Sequence, residues 1–208
     1  MKILSDVDLI AAEDTRTTRV LLAHFKISKP MVSYFSYNEA RRVPELIGKL
    51  KSGLSLALVS DAGTPGISDP AFRIIRAALD ERIPVVAIPG PSAILPALIV
   101  SGLPTDRFIF EGFLPVKKGR KTAFKRLSIE PRTIVLYESP HRLLRTLNDL
   151  REVFGDRPVS ISRELTKKFE ETFRGTLCSS IEYFSRHTIR GEFVLVIGGS
   201  SSKKTSPH

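Results

Sequence analysis

The sequence predicts an α/β protein of two domains, the first built on a mostly parallel sheet and the second on a mixed one. Three observations carry that expectation. Short apolar runs alternate with stretches of helical spacing along most of the chain. The turns between them are punctuated by Gly and Pro, as in βαβ units. Beyond residue 157 two strand-like runs follow one another across a short polar turn, which calls for antiparallel pairing. A chain of 208 residues, 42% hydrophobic and 26% charged, has the composition of a folded protein rather than a disordered one.

In order, VDLIAA (7–12) reads as a strand and TRTTRVLLAHF (15–25) as a helix. PELIGKLKSG (44–53) is a helix closed by a glycine, and LSLALVS (54–60) a buried strand. PAFRIIRAALDE (70–81) is a helix, PVVAI (84–88) a strand, and SAILPALIVSG (92–102) a helix. This βαβα order predicts parallel strands covered by helices. The character changes at 103–122, where the strand RFIFEGF lies between proline turns and leads into a basic loop. TIVLYE (133–138) is a strand, followed by a helix from Pro140 to Phe154 with Ser139 as its cap. PVSISREL (158–165) and FEETFRGT (169–176) form a hairpin about Thr166–Lys168, and EFVLVIGG (192–199) is a last strand. The expected division is 1–106 and 107–199, with 200–208 a disordered tail.

The single cysteine, Cys178, excludes an intramolecular disulfide and fits a reducing cytoplasm. No basic-then-apolar leader opens the chain, so a cytoplasmic setting is expected. Residues 83–105 carry no charge and are long enough for a membrane span, but five prolines interrupt them. The four histidines do not cluster with other ligand residues, so no metal site is expected. The net charge of +10 divides unevenly, +2 over residues 1–104 and +8 over 105–208. A polyanionic partner is therefore expected on the second half.

Ligands of open α/β sheets bind beyond the carboxyl ends of strands. Three such junctions carry chemistry. AAEDTRTT (11–18) sets Glu13, Asp14 and Arg16 directly after a strand. SDAGTPGISDP (60–70) has Asp61, then Gly63 and Gly66, then Ser68 and Asp69 as caps of a helix opening at Pro70. AIPGPSA (87–93) ends on Ser92 as another cap. Neither a G-K-[ST] loop nor G-x-G-x-x-G is present, which favours a nucleotide-like ligand without a triphosphate.

The segments EDTR (13–16), SDAGTPGISDP (60–70), PGPSA (89–93), GLPTDRFIFEGFLP (102–115), YESPHR (137–142), RELTKKFEE (163–171) and GEFVLVI (191–197) resemble the tetrapyrrole-methylase superfamily, in its RNA-modifying branch. The resemblance implies S-adenosylmethionine as methyl donor. It implies as acceptor the ribose 2′-hydroxyl of a cytidine in the decoding region of small-subunit (16S) rRNA, free or in the small ribosomal subunit. It also implies two α/β domains, the cofactor in the cleft between them, and a homodimer. A strand and a turn similar to T-P-I-G-N-L precede a helix in that family. Met1-Lys2-Ile3-Leu4 matches the end of that helix, so the first sheet is expected without its first strand, as a shortened gene would leave it. Two other readings stay open: a tetrapyrrole C-methyltransferase, and an inactive RNA-binding remnant.

By resemblance, Asp61, Ala62, Gly63 and Thr64 lie against the methionine part of the cofactor, Ser92 and Ala93 form a second wall, and Tyr137 and Leu165 meet the adenosine. A carboxylate suits an α-amino group beside a sulfonium. Removing a hydroxyl proton calls for a base, for which Glu13 and Asp14 are candidates, while Arg16 suits a phosphate. The structural alternative is that Asp14 or Thr15 caps the next helix and Glu13 pairs with Arg16. Lys117, Lys118, Arg120, Lys121, Lys125 and Arg126, with no acid among them, are read as phosphate contacts, with His141 and Arg142 beside them.

Overall fold

In the computed structural model, which describes residues 1–200, the chain forms two compact units, Met1–Ser92 and one beginning at Ala93. The first unit contains α1 (Lys2–Asp6), β1 (Leu9–Ala12), α2 (Thr15–His24), β2 (Met31–Ser33), α3 (Glu39–Lys51), β3 (Leu56–Val59) and α4 (Phe72–Asp80). Its three strands run parallel in the order β2-β1-β3. Central β1 is buried on both faces, which explains its unbroken apolar run. Leu9 and Ala11 pack with Tyr34, Leu46 and Ile74, and Ile10 packs with Val7 and Leu22 on the other side. Burial pushes the Tyr34 phenol well above its ordinary pKa, and its hydroxyl donates to Glu39 Oε1 at 3.1 Å.

The second unit contains α5 (Ile94–Val100), β4 (Phe108–Phe113), α6 (Arg120–Ser128), β5 (Thr133–Glu138), α7 (Leu143–Phe154), β6 (Pro158–Arg163), β7 (Glu171–Thr176), α8 (Leu177–Arg186) and β8 (Phe193–Ile197). Its sheet has the order β4-β5-β8-β6-β7, with β4 and β5 parallel and the remaining pairs antiparallel. Central β8 alternates faces. Val194 and Val196 meet α5 through Ile94, Ala97 and Leu98. Phe193, Leu195 and Ile197 meet the larger core with Leu143, Leu147, Leu150 and Phe184. Both faces are covered, so β8 also reads as a continuous apolar run.

The expected α/β class, the parallel first sheet and the β6–β7 hairpin are present. Several local expectations are corrected. Residues 84–88 do not form a strand. β3 is bonded to β1 along one edge, and no described residue offers 84–88 a ladder partner, so its backbone has nothing to pair with. Val86 and Ile88 are 76% and 54% exposed as a result. Ser68 and Asp69 do not cap α4, which opens two residues later with Ala71 at its N-cap. Ser68 has φ 70, a left-handed angle incompatible with the extended N-cap geometry. Ala93, not Ser92, is the N-cap of α5, and Arg142, not Ser139, that of α7. Helix α3 begins ahead of Pro44 rather than at it. β2, α6 and α8 had no counterpart in the sequence reading. The expected tail lies outside the described residues from residue 201 onward. Among the described residues no helix is long and apolar enough to cross a membrane.

Truncating Leu195, fully buried on the central strand, is expected to cost about 2–5 kcal/mol in Leu195→Ala. Denaturant unfolding measures it. Ile129→Ala, at a 75% exposed position, is expected to stay within about 0.5 kcal/mol of the parent.

Candidate active site

Parallel pairing of β1 with β3 aligns Ala12 with Val59, so the residues that follow both strands emerge side by side. The Glu13 backbone N–H donates to Val59 O at 3.1 Å, extending the ladder by one bond. Beyond it, the Asp61 N–H donates to Glu13 Oε2 at 3.2 Å. Glu13 is therefore held by both strand ends. The chain then turns through Ala62 and Gly63 (φ 75), with the Ser60 hydroxyl 3.3 Å from Ala62 O. Thr64 Oγ1 donates to Pro91 O at 3.0 Å, tying this turn to the PGPSA segment. Asp61, Ala62 and Gly63 are exposed, and the Asp61 carboxylate has no hydrogen-bond or ion-pair partner among the described residues.

Asp14 is the N-cap of α2, accepting from Arg16 N at 2.8 Å. Arg16 folds back on it, with Nε 3.1 Å from Oδ1 and Nη2 2.6 Å from Oδ2. These hydrogen bonds hold the Asp14 carboxyl down at about 2. So acidic a group is a poor acceptor of a hydroxyl proton at neutral pH. The capping alternative thus describes Asp14, whereas Arg16 pairs with Asp14 and not with Glu13. The Asp14 hydrogen bond raises the Arg16 pKa, and the nearby Asp61 charge adds to that rise. Glu13, Arg16, Asp61 and Thr64 consequently share one strand-end surface of the first unit. The exposed Asp61 carboxylate beside this turn has the charge to accept hydrogen bonds from a ligand's ammonium group.

In the second unit Tyr137 and Leu165 share one cluster with Val135, Val194 and Val196. The Tyr137 ring meets Phe110 at 5.0 Å and Phe113 at 5.5 Å between centroids. Ala93 is exposed at the start of α5, and Ser92 is half-buried.

The basic stretch does not act as one surface. Its second half is α6, on which Arg120, Phe124 and Leu127 form the buried face. Arg120 is corrected as an RNA-facing residue: its side chain is 8% exposed and 2.7 Å from Asp149. It also donates to Thr146 Oγ1 at 2.9 Å and Pro115 O at 3.1 Å. Thr146 in turn donates to the buried Glu138, whose other oxygen pairs with Arg142 at 2.6 Å. Arg126 is spoken for by Glu111. Lys117, Lys118, Lys121 and Lys125 remain exposed, the last two one turn apart on the outer face of α6, and His141 is exposed in the turn before α7. The spacing 120, 124, 127 is the signal that separates the buried arginine from the lysines. Sequence reasoning missed Phe113, a 42% exposed aromatic at the end of β4.

Residues 1–179 match the sequence profile of the Tetrapyrrole (Corrin/Porphyrin) Methylases. The chain is 52% identical over 200 residues to the ribosomal RNA small subunit methyltransferase I of Synechocystis sp., covering 95% of this chain and 72% of that protein. The Thermotoga maritima protein of the same name is 47% identical, with 96% and 90% covered. Among solved structures, a cobalt precorrin-4 methyltransferase superposes with TM-score 0.66 at 17% identity over 95% of this chain and 86% of that one. A uroporphyrin-III C-methyl transferase from Thermus thermophilus, complexed with S-adenosylhomocysteine, gives 0.61 at 17% identity, with 95% and 88% covered. These last two likenesses establish the fold.

Arg120→Ala strands Asp149 and Thr146 in a partly buried setting and is expected to cost about 3 kcal/mol. Lys121→Ala is expected to stay within about 0.5 kcal/mol, both read by denaturant unfolding. Carboxyl-detected NMR is expected to give Asp14 a midpoint near 2 that moves up toward the ordinary 3.8 in Arg16→Ala. Because folding lowers this pKa, the stabilisation it brings is complete above 3.8 and is lost as pH falls through about 2.

Proposed function

The chain belongs to the tetrapyrrole (corrin/porphyrin) methylase family, and on that premise we propose that it transfers a methyl group from S-adenosylmethionine to small-subunit rRNA. The observation that carries the reading is the 52% identity to a ribosomal RNA small subunit methyltransferase I across nearly the whole chain. The acceptor, on the sequence resemblance, is the 2′-hydroxyl of a cytidine in the decoding region. The tetrapyrrole alternative draws on the breadth of the family and on structures near 17% identity, a level that speaks to fold, whereas the relatives at 47–52% identity are named for rRNA. The exposed Lys117, Lys118, Lys121 and Lys125 support a phosphate-backbone partner. The reading includes a homodimer working in the cytoplasm. Exposed Phe72, Ile75 and Leu79 along α4 support contact between copies.

When bound, S-adenosylmethionine supplies an electrophilic methyl on a positively charged sulfur. Asp61 accepts hydrogen bonds from the α-amino group, and the turn through Ala62, Gly63 and Thr64 lines the same end. Glu13 would take the proton of the ribose hydroxyl, so that the methylated oxygen would end neutral, while the bound cofactor would supply the methyl group and keep the C–S electron pair on its sulfur. One Glu13 oxygen is already engaged by the Asp61 N–H, so the carboxylate is oriented before the acceptor arrives. Arg16, with an 86% exposed side chain, keeps donors beyond those on Asp14 for a flanking phosphate. Arranging the in-line displacement is the larger part of the task.

Labelled S-adenosylmethionine offered with unmethylated small subunits and, separately, with a uroporphyrinogen acceptor tests the reading. Label is expected in rRNA, within an alkali-resistant dinucleotide, because a 2′-O-methyl blocks attack on the adjacent phosphate. Label in the tetrapyrrole alone would overturn it. Glu13→Gln is expected to lower kcat by about 10²-fold or more with the KM for cofactor little changed.

A further inference from the structure

The end of β4 carries an arrangement that the methyl-transfer chemistry leaves unused. β4 and β5 are the parallel pair of the mixed sheet, so the turn after β4 stands where ligands of parallel strands bind. Between Phe110 and Gly112 the register to β5 shifts by a bulge at Glu111, with Gly112 at φ 63. A bulge re-aims the side chains that follow it. Here it sets Phe113 opposite Tyr137, with the residue 42% exposed.

The backbone just beyond Phe113 is clamped from below. Arg142 Nη1 donates to Leu114 O at 3.2 Å, and Arg120 Nη1 to Pro115 O at 3.1 Å. Both guanidiniums are fixed by the Glu138–Thr146–Asp149 set already described. Three acids of β4, β5 and α7 are paired: Glu111 with Arg126, Glu138 with Arg142, Asp149 with Arg120. Lys117, Lys118 and Lys121, in contrast, are exposed and have no ion-pair partner among the described residues. The Arg142 guanidinium, paired with Glu138, stands 6.0 Å from the Phe113 ring centroid and so ties the ring to the same buried set.

A part-exposed aromatic at the head of a hydrogen-bonded turn, followed within eight residues by three exposed, unpaired lysines, has the composition of a platform for single-stranded nucleic acid. We infer that Phe113 stacks on an unpaired base of the RNA substrate while Lys117, Lys118 and Lys121 hold the phosphates on either side of it. This rests on the rRNA reading above and extends it, assigning the element that splays the strand rather than the groups that methylate it. A nucleobase reaches such a ring from RNA or from the adenosine of the cofactor, and the structure favours RNA because only a polyanion uses the three lysines.

The chain has no tryptophan, so Phe113→Trp places a unique fluorophore at the platform. Titration with a single-stranded RNA dodecamer is expected to quench it, whereas a duplex of the same sequence and S-adenosylmethionine alone leave it unchanged. Ile129→Trp, at the far end of α6 and about 13 Å along it, is the unresponsive control. In steady-state assays Phe113→Leu is expected to raise the KM for small-subunit rRNA about 5-fold or more, with the KM for cofactor unchanged and Phe113→Tyr restoring the parent value. Indole emission of the Phe113→Trp variant that stays constant while anisotropy reports bound RNA would overturn the inference and leave rRNA methylation standing. So would quenching by S-adenosylmethionine alone, or an unaltered rRNA KM in Phe113→Leu. Loss of the rRNA reading registers separately, as parent protein that methylates no rRNA, and overturns this inference with it.

Discussion

Parallel registry between β1 and β3 is the constraint from which the candidate chemistry follows. Aligning Ala12 with Val59 leaves two strand ends level with each other, and the backbone donors beyond the ladder need partners from outside it. The sequence answers with carboxylates. Glu13 meets the Asp61 N–H, and Asp14 meets the first turn of α2. Three acids within one surface would repel one another if left bare, and Arg16 offsets that by pairing with Asp14 and lying near Asp61. The result separates duties among groups of the same chemical type. Asp14 is consumed by structure, Glu13 is anchored but retains a free oxygen, and Asp61 stays open to a ligand.

The second unit applies a similar logic to cations. Its excess positive charge is sorted by helix phase. Arg120 turns inward with Phe124 and Leu127, and Lys121 and Lys125 turn outward. Burying Arg120 and Glu138 is tolerable because Thr146, Asp149 and Arg142 complete their hydrogen bonding. What that buried set supports is a stretch of backbone, Leu114–Pro115, that would otherwise be a loose connection between an edge strand and a helix. Rigidity there separates a shaped basic turn from a merely charged loop, and shape is needed if the turn is to act on RNA through more than charge.

Elements with strong local patterns were legible in the sequence: β1, α2, β5, β8 and the β6–β7 hairpin. Each has an uninterrupted apolar run, a helical repeat or a polar turn of the right length. Segment 84–88 has the composition of a strand yet remains unpaired, because strand formation depends on a neighbour and composition cannot supply one. The three-residue β2 is too short for periodicity to register, and α6 was hidden by its lysines and arginines, one of which, Arg120, belongs to the buried 120, 124, 127 phase. Helix starts failed at Ser68, Ser92 and Ser139, where the helices open at Ala71, Ala93 and Arg142 instead. A serine ahead of a helix caps it only where the backbone is extended, and Ser68 is left-handed. At the site, residue types were readable while roles were not. Whether Asp14 or Glu13 holds Arg16 is a matter of ångströms, and the answer demotes one candidate base.

Calorimetric titration of S-adenosylmethionine into the chain tests the assignment of the β1–β3 strand ends most directly. Saturable binding is expected, weakened about tenfold or more in Asp61→Ala through loss of a charge-assisted contact. Asp14→Ala, which removes a cap and no ligand group, is expected to leave the affinity within about twofold. Equal affinity in the parent and in Asp61→Ala would contradict that assignment, since it would move the cofactor away from the surface on which the proposed chemistry is built.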